Sequence, residues 1–152
     1  MFMQILQKES LEIILLLFKI LGTWVLQKQQ RRISEKILQE FGLPYHIVAT
    51  STGDMGAGKY RMNDIETWMP SRESYGETHS NSNLTDWQAR RLNLKFKTKD
   101  GQTFYVYTLN NTVIASPRIL ITLLENFQQE DGSVKIPEVL QKYTNFSEIR
   151  PK

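Results

Sequence analysis

The chain contains no cysteine among its 152 residues, so it has neither a disulfide framework nor a thiolate metal site. It has only two histidines, His46 and His79, and they stand too far apart in sequence to suggest a metal motif. It also lacks an uninterrupted apolar run of the roughly 20 residues that a membrane-crossing helix needs. The longest candidate, Leu11 to Leu26, is broken by Glu12, Lys19 and Gly22. It lacks the basic start and small-residue cleavage site of a signal peptide. Glu12 and Lys19 fall on one helical face, so the stretch predicts a helix buried on most sides. A membrane-anchoring segment is the alternative. Nor is there a large excess of one charge: 19 Lys and Arg against 16 Asp and Glu give +3. That is compatible with an RNA partner and does not demonstrate one.

What is present suits one globular domain with a real core: 40% hydrophobic and 23% charged residues. From Gln27 the pattern continues as a helix with a polar face, carrying Ile33, Ile37, Leu38 and Phe41 on one stripe. Gly42 is a natural stop and Pro44 forbids continuation. Tyr45 to Ala49 reads as a short strand. The loop Thr52-Gly53-Asp54-Met55-Gly56-Ala57-Gly58-Lys59 is glycine-rich, but Tyr60 follows the lysine and the spacing is not that of a phosphate-binding P-loop. It reads as a flexible connection between strands. Residues 71–83 are polar and poor in apolar side chains, which by composition predicts a loop with Glu77 as a solvated charge.

Leu92 to Thr98 alternates apolar and polar residues as a half-exposed strand does. Asp100-Gly101 marks a hairpin turn into a second strand, Phe104 to Thr108, and Asn110-Asn111-Thr112 reads as a turn. Ser116 can cap a following helix and Pro117 fits its first position. Leu120, Leu124 and Phe127 supply its apolar stripe, and Asp131-Gly132 ends it. Arg118 then lies in the first helical turn, where free backbone N–H groups and the helix dipole favour an anion. Its guanidinium fork matches phosphate oxygens; an ordinary surface arginine fits the same pattern. Glu138 to Tyr143 predicts a short helix, and 144–152 a polar tail.

Several stretches, taken in order, resemble seryl-tRNA synthetases, which are class II aminoacyl-tRNA synthetases. They are Thr52-Gly53-Asp54-Met55-Gly56 leading into Asp64-Ile65-Glu66; Tyr75 through Asn83; Trp87-Gln88-Ala89-Arg90-Arg91; and the block from Tyr107 to Pro137, which is similar to the family's motif 3. The resemblance covers about 30–143, with 1–29 an apolar helix that fits the family less well. It implies an α+β fold, an antiparallel sheet flanked by helices, as a partial class II catalytic core. It also implies an enzyme that activates serine with ATP and Mg²⁺ and transfers it to tRNA(Ser).

The roles that the resemblance carries fall on a few positions. Arg118 grips the γ-phosphate and is the catalytic residue; Glu77, Thr78, His79 and Ser80 contact ATP, with Glu77 and Ser80 as the metal ligands. Asn110 and Thr112 line the serine pocket, and Arg90 and Arg91 brace the sheet. Gly76 stands where the family usually carries arginine. The family's tRNA-binding arm, its dimer-building motif 1 and its motif 2 have no counterpart here. The chain therefore reads as the C-terminal half of a catalytic domain, with doubtful activity alone. A non-catalytic synthetase-like binding or regulatory module is the alternative. The family is homodimeric, and the location expected is cytoplasmic, with mitochondrial matrix or plastid as the alternative.

Overall fold

The computed structural model describes the backbone of residues 2–151 and the side chains of residues 21–151. A long helix, α1 (Phe2–Phe41), opens the chain. It stops where the sequence says it should. Gly42 takes φ 71°; its N–H donates to Gln39 O at 3.1 Å and that of Leu43 to Leu38 O at 3.1 Å, the paired bonds of a glycine-terminated helix.

The buried face of α1 is only partly the expected one: Leu38 is buried and Phe41 packs on the core, but Ile33 is exposed. Gln27, Ser34 and Leu38 point inward, whereas Leu21, Trp24, Val25, Leu26 and Ile33 are exposed. The expectation of a helix buried on most sides over 11–26 therefore fails for 21–26; the side chains of 11–20 lie outside the described residues. No helix among the described residues is long and apolar enough to cross a membrane.

The main sheet has the order β1-β2-β3-β6, formed by β1 (Tyr45–Ala49), β2 (Arg61–Met69), β3 (Ser74–Thr85) and β6 (Thr108–Thr112). All neighbours are antiparallel. The expected loop at 71–83 is thus mostly strand. Its glycine, serines and asparagines have low β propensity, but β3 is hydrogen-bonded on both sides, by β2 and β6, and pairing overrides composition. The expected turn Asn110-Asn111-Thr112 is also strand, opposite Ser82, Asn81 and Ser80.

The other elements adjust the reading further. Helix α2 (Trp87–Leu92) takes the residues before Asn93, which caps it in a left-handed conformation at φ 52°. The expected strand from Leu92 shrinks to β4 (Lys95–Lys97), paired in a separate hairpin with β5 (Thr103–Tyr105). Helix α3 runs Ser116–Phe127. Ala115, not Ser116, is its cap residue, no side chain caps it, and it ends before Asp131. It buries Ile119 and Thr122 and leaves Leu120 and Leu124 exposed, so the expected stripe is rotated by one residue. Near the C-terminus, β7 (Val134–Lys135) and β8 (Glu148–Ile149) pair around α4 (Glu138–Thr144). The expected polar tail is therefore partly built into the fold.

The core sets which face of the sheet stays open. Leu38 of α1, Leu43, Ile65 of β2 and Ile119 of α3 are buried together, with Ile47, Ile114 and Phe127 packed against them. Ile65 pairs with His79, so the odd-numbered side of the sheet's centre carries the helices. Asn81 Nδ2 donates to Gln30 Oε1 at 3.1 Å and Asn83 Nδ2 to Thr23 Oγ1 at 3.1 Å; both tie β3 to α1 on that side. Alternation along a strand then places Asp64, Ser80, Ser82, Asn110 and Thr112 on the opposite side.

Candidate functional site

Register brings the predicted residues of that opposite face together. Ser80 stands beside Asp64 on one neighbour and Thr112 on the other, and Ser82 stands beside Asn110. Antiparallel partners project to the same side, so the hydroxyls of Ser80 and Thr112 and the Asp64 carboxylate form one polar row. Asp64 Oδ2 accepts from Thr50 Oγ1 at 3.1 Å, while its Oδ1 is buried and has no protein partner.

A bulge between Ile65 and Glu66 shifts the register, so Glu77 pairs with Glu66. Two carboxylates directly opposite would repel, and each has its own basic neighbour. Glu66 Oε2 lies 2.6 Å from His46 Nε2, and the His46 ring stacks on Tyr75 at 4.1 Å between centroids. Glu77 Oε2 lies 2.9 Å from Arg118 Nη1. Arg118 comes from the first turn of α3, whose start is fixed by the Ala115 N–H donating to Thr78 O at 3.0 Å. Thus α3 delivers its guanidinium onto the Glu77 segment. Both partners are substantially exposed, at 50% and 37% for the side chains, so the pair contributes at most about 1 kcal/mol to folding.

Thr78 and His79 do not join this exposed set. They are buried, with 0% and 1% of their surface exposed. The Thr67 and Thr78 hydroxyls are 2.6 Å apart, and Thr78 Oγ1 is 2.7 Å from His79 Nδ1. Burial lowers the His79 pKa to about 4, so its ring is neutral at pH 7. The side chains of these two expected ATP contacts are turned inward, where they hold the bulge that aims Glu77. Sequence reasoning missed this chain of hydroxyls and the pairing of His46 with Glu66. The only signal was that His46 lies on a predicted strand and Glu66 in a family-like stretch.

The space beside Gly76 is filled. A side chain there would begin 2.7 Å from Met69 Cε and 3.6 Å from Arg72 Nη1, so Met69 and Arg72 occupy the room that a larger residue would need. The glycine-rich loop has a structural task as well. Gly58, at φ 84°, lies flat on the Trp87 indole, which would be 2.2 Å from any added Cβ.

Among the described residues no three His, Cys, Asp or Glu side chains gather to hold a metal ion. Glu77 and Ser80 supply oxygen donors suited to Mg²⁺, which takes one or two protein groups and completes its shell with phosphate and water.

Comparison with known proteins identifies the family of the fold. The class II core domain of tRNA synthetases for G, H, P, S and T matches residues 26–127. The chain belongs to that class II core family. It is 54% identical over 116 residues to a serine–tRNA ligase of Deinococcus radiodurans, covering 76% of this chain and 27% of the relative. It is 48% identical over 130 residues to that of Pyrococcus furiosus, covering 85% and 29%. The seryl-tRNA synthetase of Pyrococcus horikoshii, solved in complex with ATP, superposes with a TM-score of 0.82 at 47% identity over 85% of this chain and 29% of that one. The cytoplasmic serine–tRNA ligase of Naegleria fowleri, solved with AMP, gives 0.80 at 33% identity over 86% and 32%. The α+β class II core is therefore confirmed, as is the likeness to seryl-tRNA synthetases. The chain spans under a third of the length of these relatives.

Proposed function

We propose that this chain forms the ATP- and serine-binding part of a serine–tRNA ligase, which activates serine as its adenylate and transfers it to tRNA(Ser). The observation that carries this reading is the contact of Arg118 with Glu77, made by two segments separated in sequence and both similar to the family's ATP-binding motifs. Without ligand the two charges neutralise each other. A bound nucleotide triphosphate would draw Arg118 to its terminal phosphate and leave Glu77, with Ser80, to hold Mg²⁺. The metal would supply charge neutralisation on the phosphates. The chain's own residues orient them: Arg118 as a planar fork and Glu77 through the bulge behind it. Asn110 and Thr112, on the neighbouring strand, would face the amino acid.

In this reading the partners are serine, tRNA(Ser) and a second subunit. The location is cytoplasmic, or the matrix of an organelle with its own tRNA. The test is calorimetry of the chain with ATP and Mg²⁺, then with Arg118→Ala. Mg²⁺-dependent binding that the variant loses supports the proposal. Absence of ATP binding alongside tight tRNA binding would replace it with the non-catalytic synthetase-like module, to which Gly76 points.

A further inference from the structure

Away from the Glu77 site, at the other end of β3 and β6, a cleft of about 470 Å³ opens between α2 and the β4–β5 hairpin. Five residues of strand, roughly 17 Å, separate the Ser80–Thr112 pair from the Thr85–Thr108 pair beside it. Arg90, Lys95, Phe104, Tyr105 and Tyr107 are among its walls. Two of its cations lie on one ring: the Arg90 guanidinium 5.0 Å from the Tyr105 centroid and Lys95 Nζ 4.9 Å from it.

Arg90 is held in place rather than free to swing. Its Nε and Nη2 donate to Asp86 Oδ2 at 2.9 and 2.7 Å, which fixes the guanidinium plane over the ring. Burial first, and the Asp86 charge second, raise the Tyr107 pKa above its ordinary value; its hydroxyl stays a donor. Lysines flank the cleft along the exposed strand β4, at Lys95 and Lys97. Cations interleaved with aromatic rings on an open wall suit a phosphate backbone with an unpaired base beside it.

We propose that this cleft binds one nucleotide of a single-stranded RNA segment, its phosphate beside Lys95 and its base stacked on the Arg90 guanidinium that Tyr105 backs. The RNA identity rests on the ligase reading above, but the contact itself does not need the Glu77 site. The test is fluorescence anisotropy of the whole chain with a labelled single-stranded RNA of about ten nucleotides, without ATP, serine or Mg²⁺. Expected is salt-sensitive binding that Lys95→Ala and Tyr105→Leu each weaken by about tenfold, with unchanged circular dichroism. Lys36→Ala, on α1 where Lys36 pairs with Glu40, should leave it unaltered. No binding by the unmodified chain would overturn the proposal. So would folded Lys95 and Tyr105 variants that bind normally, or an equal loss from Lys36→Ala. Because no ATP is present, RNA binding without ATP binding would sink the ligase reading alone, and ATP binding without RNA binding would sink this one alone.

Discussion

Arg118 Nη1 lies 2.9 Å from Glu77 Oε2, joining the first turn of α3 to a strand that precedes it by about forty residues. Because both side chains face solvent, the bond cannot matter much for folding. Arg118→Ala should change stability by less than about 1 kcal/mol. It should cost ATP affinity about tenfold or more, since charge-assisted bonds to phosphate contribute about 1.5–3 kcal/mol each. Thermal melting and calorimetry on the same sample separate the two effects. Equal ATP affinity in the variant would remove Arg118 from the site.

His79 gives the fold a pH dependence whose sign is fixed. Burial lowers its pKa from 6.5 to about 4, so the unfolded chain binds more protons than the folded one between these values. Its contribution is fully present above pH 6.5, declines as pH falls toward 4, and is level below that. The size is on the order of 3 kcal/mol. Asp131, whose carboxyl is held below its ordinary value first by the Ser133 hydroxyl and then by the Ser133 N–H, adds a slope of the same sign, only at lower pH. Urea melts from pH 7 to 4 should show the slope, and His79→Gln should flatten it. An unchanged slope would mean that another group titrates there.

Gly58 is the residue of the glycine-rich loop that the fold needs. Its φ of 84° and its contact with the Trp87 indole are each hostile to a side chain. Gly58→Ala should destabilise by about 2 kcal/mol or more, from strain and from displacement of Trp87. Gly53→Ala, with nothing within 4 Å of the added carbon, is the control and should be close to neutral. The comparison is read from denaturant midpoints.

These tests mark where the sequence was legible. The stop at Gly42, strand β1, the Asp100-Gly101 turn and the position of Arg118 in its helical turn all follow from local chemistry, and local chemistry is what spacing records. The strand β3 was not visible in its composition, because a polar segment becomes a strand only when partners stand on both sides, and β6 returns to it from far along the chain. The same holds for Thr78 and His79. A bulge set by Ile65 and Glu66 on the next strand decides that they turn inward while Glu77 does not. Nothing in the row of letters from Tyr75 to Asn83 states which side of the sheet carries α1.

The facing of α3 offers the sharpest test of that last point. Its alternative stripes differ by one residue: Leu120 and Leu124 against Ile119 and Thr122. In the fold Ile119 meets Leu38 and Ile65, while Leu120 is 55% exposed. Ile119→Ala should therefore cost about 2–4 kcal/mol through lost burial and a residual cavity. Leu120→Ser should stay within about 0.5 kcal/mol, as surface changes do. Ile119 also follows Arg118 directly, so a loosened α3 should weaken ATP binding in proportion to its fraying, whereas Leu120→Ser should leave affinity intact. If the serine variant proved the more damaging, α3 would be rotated on the sheet, and Arg118 would point away from Glu77.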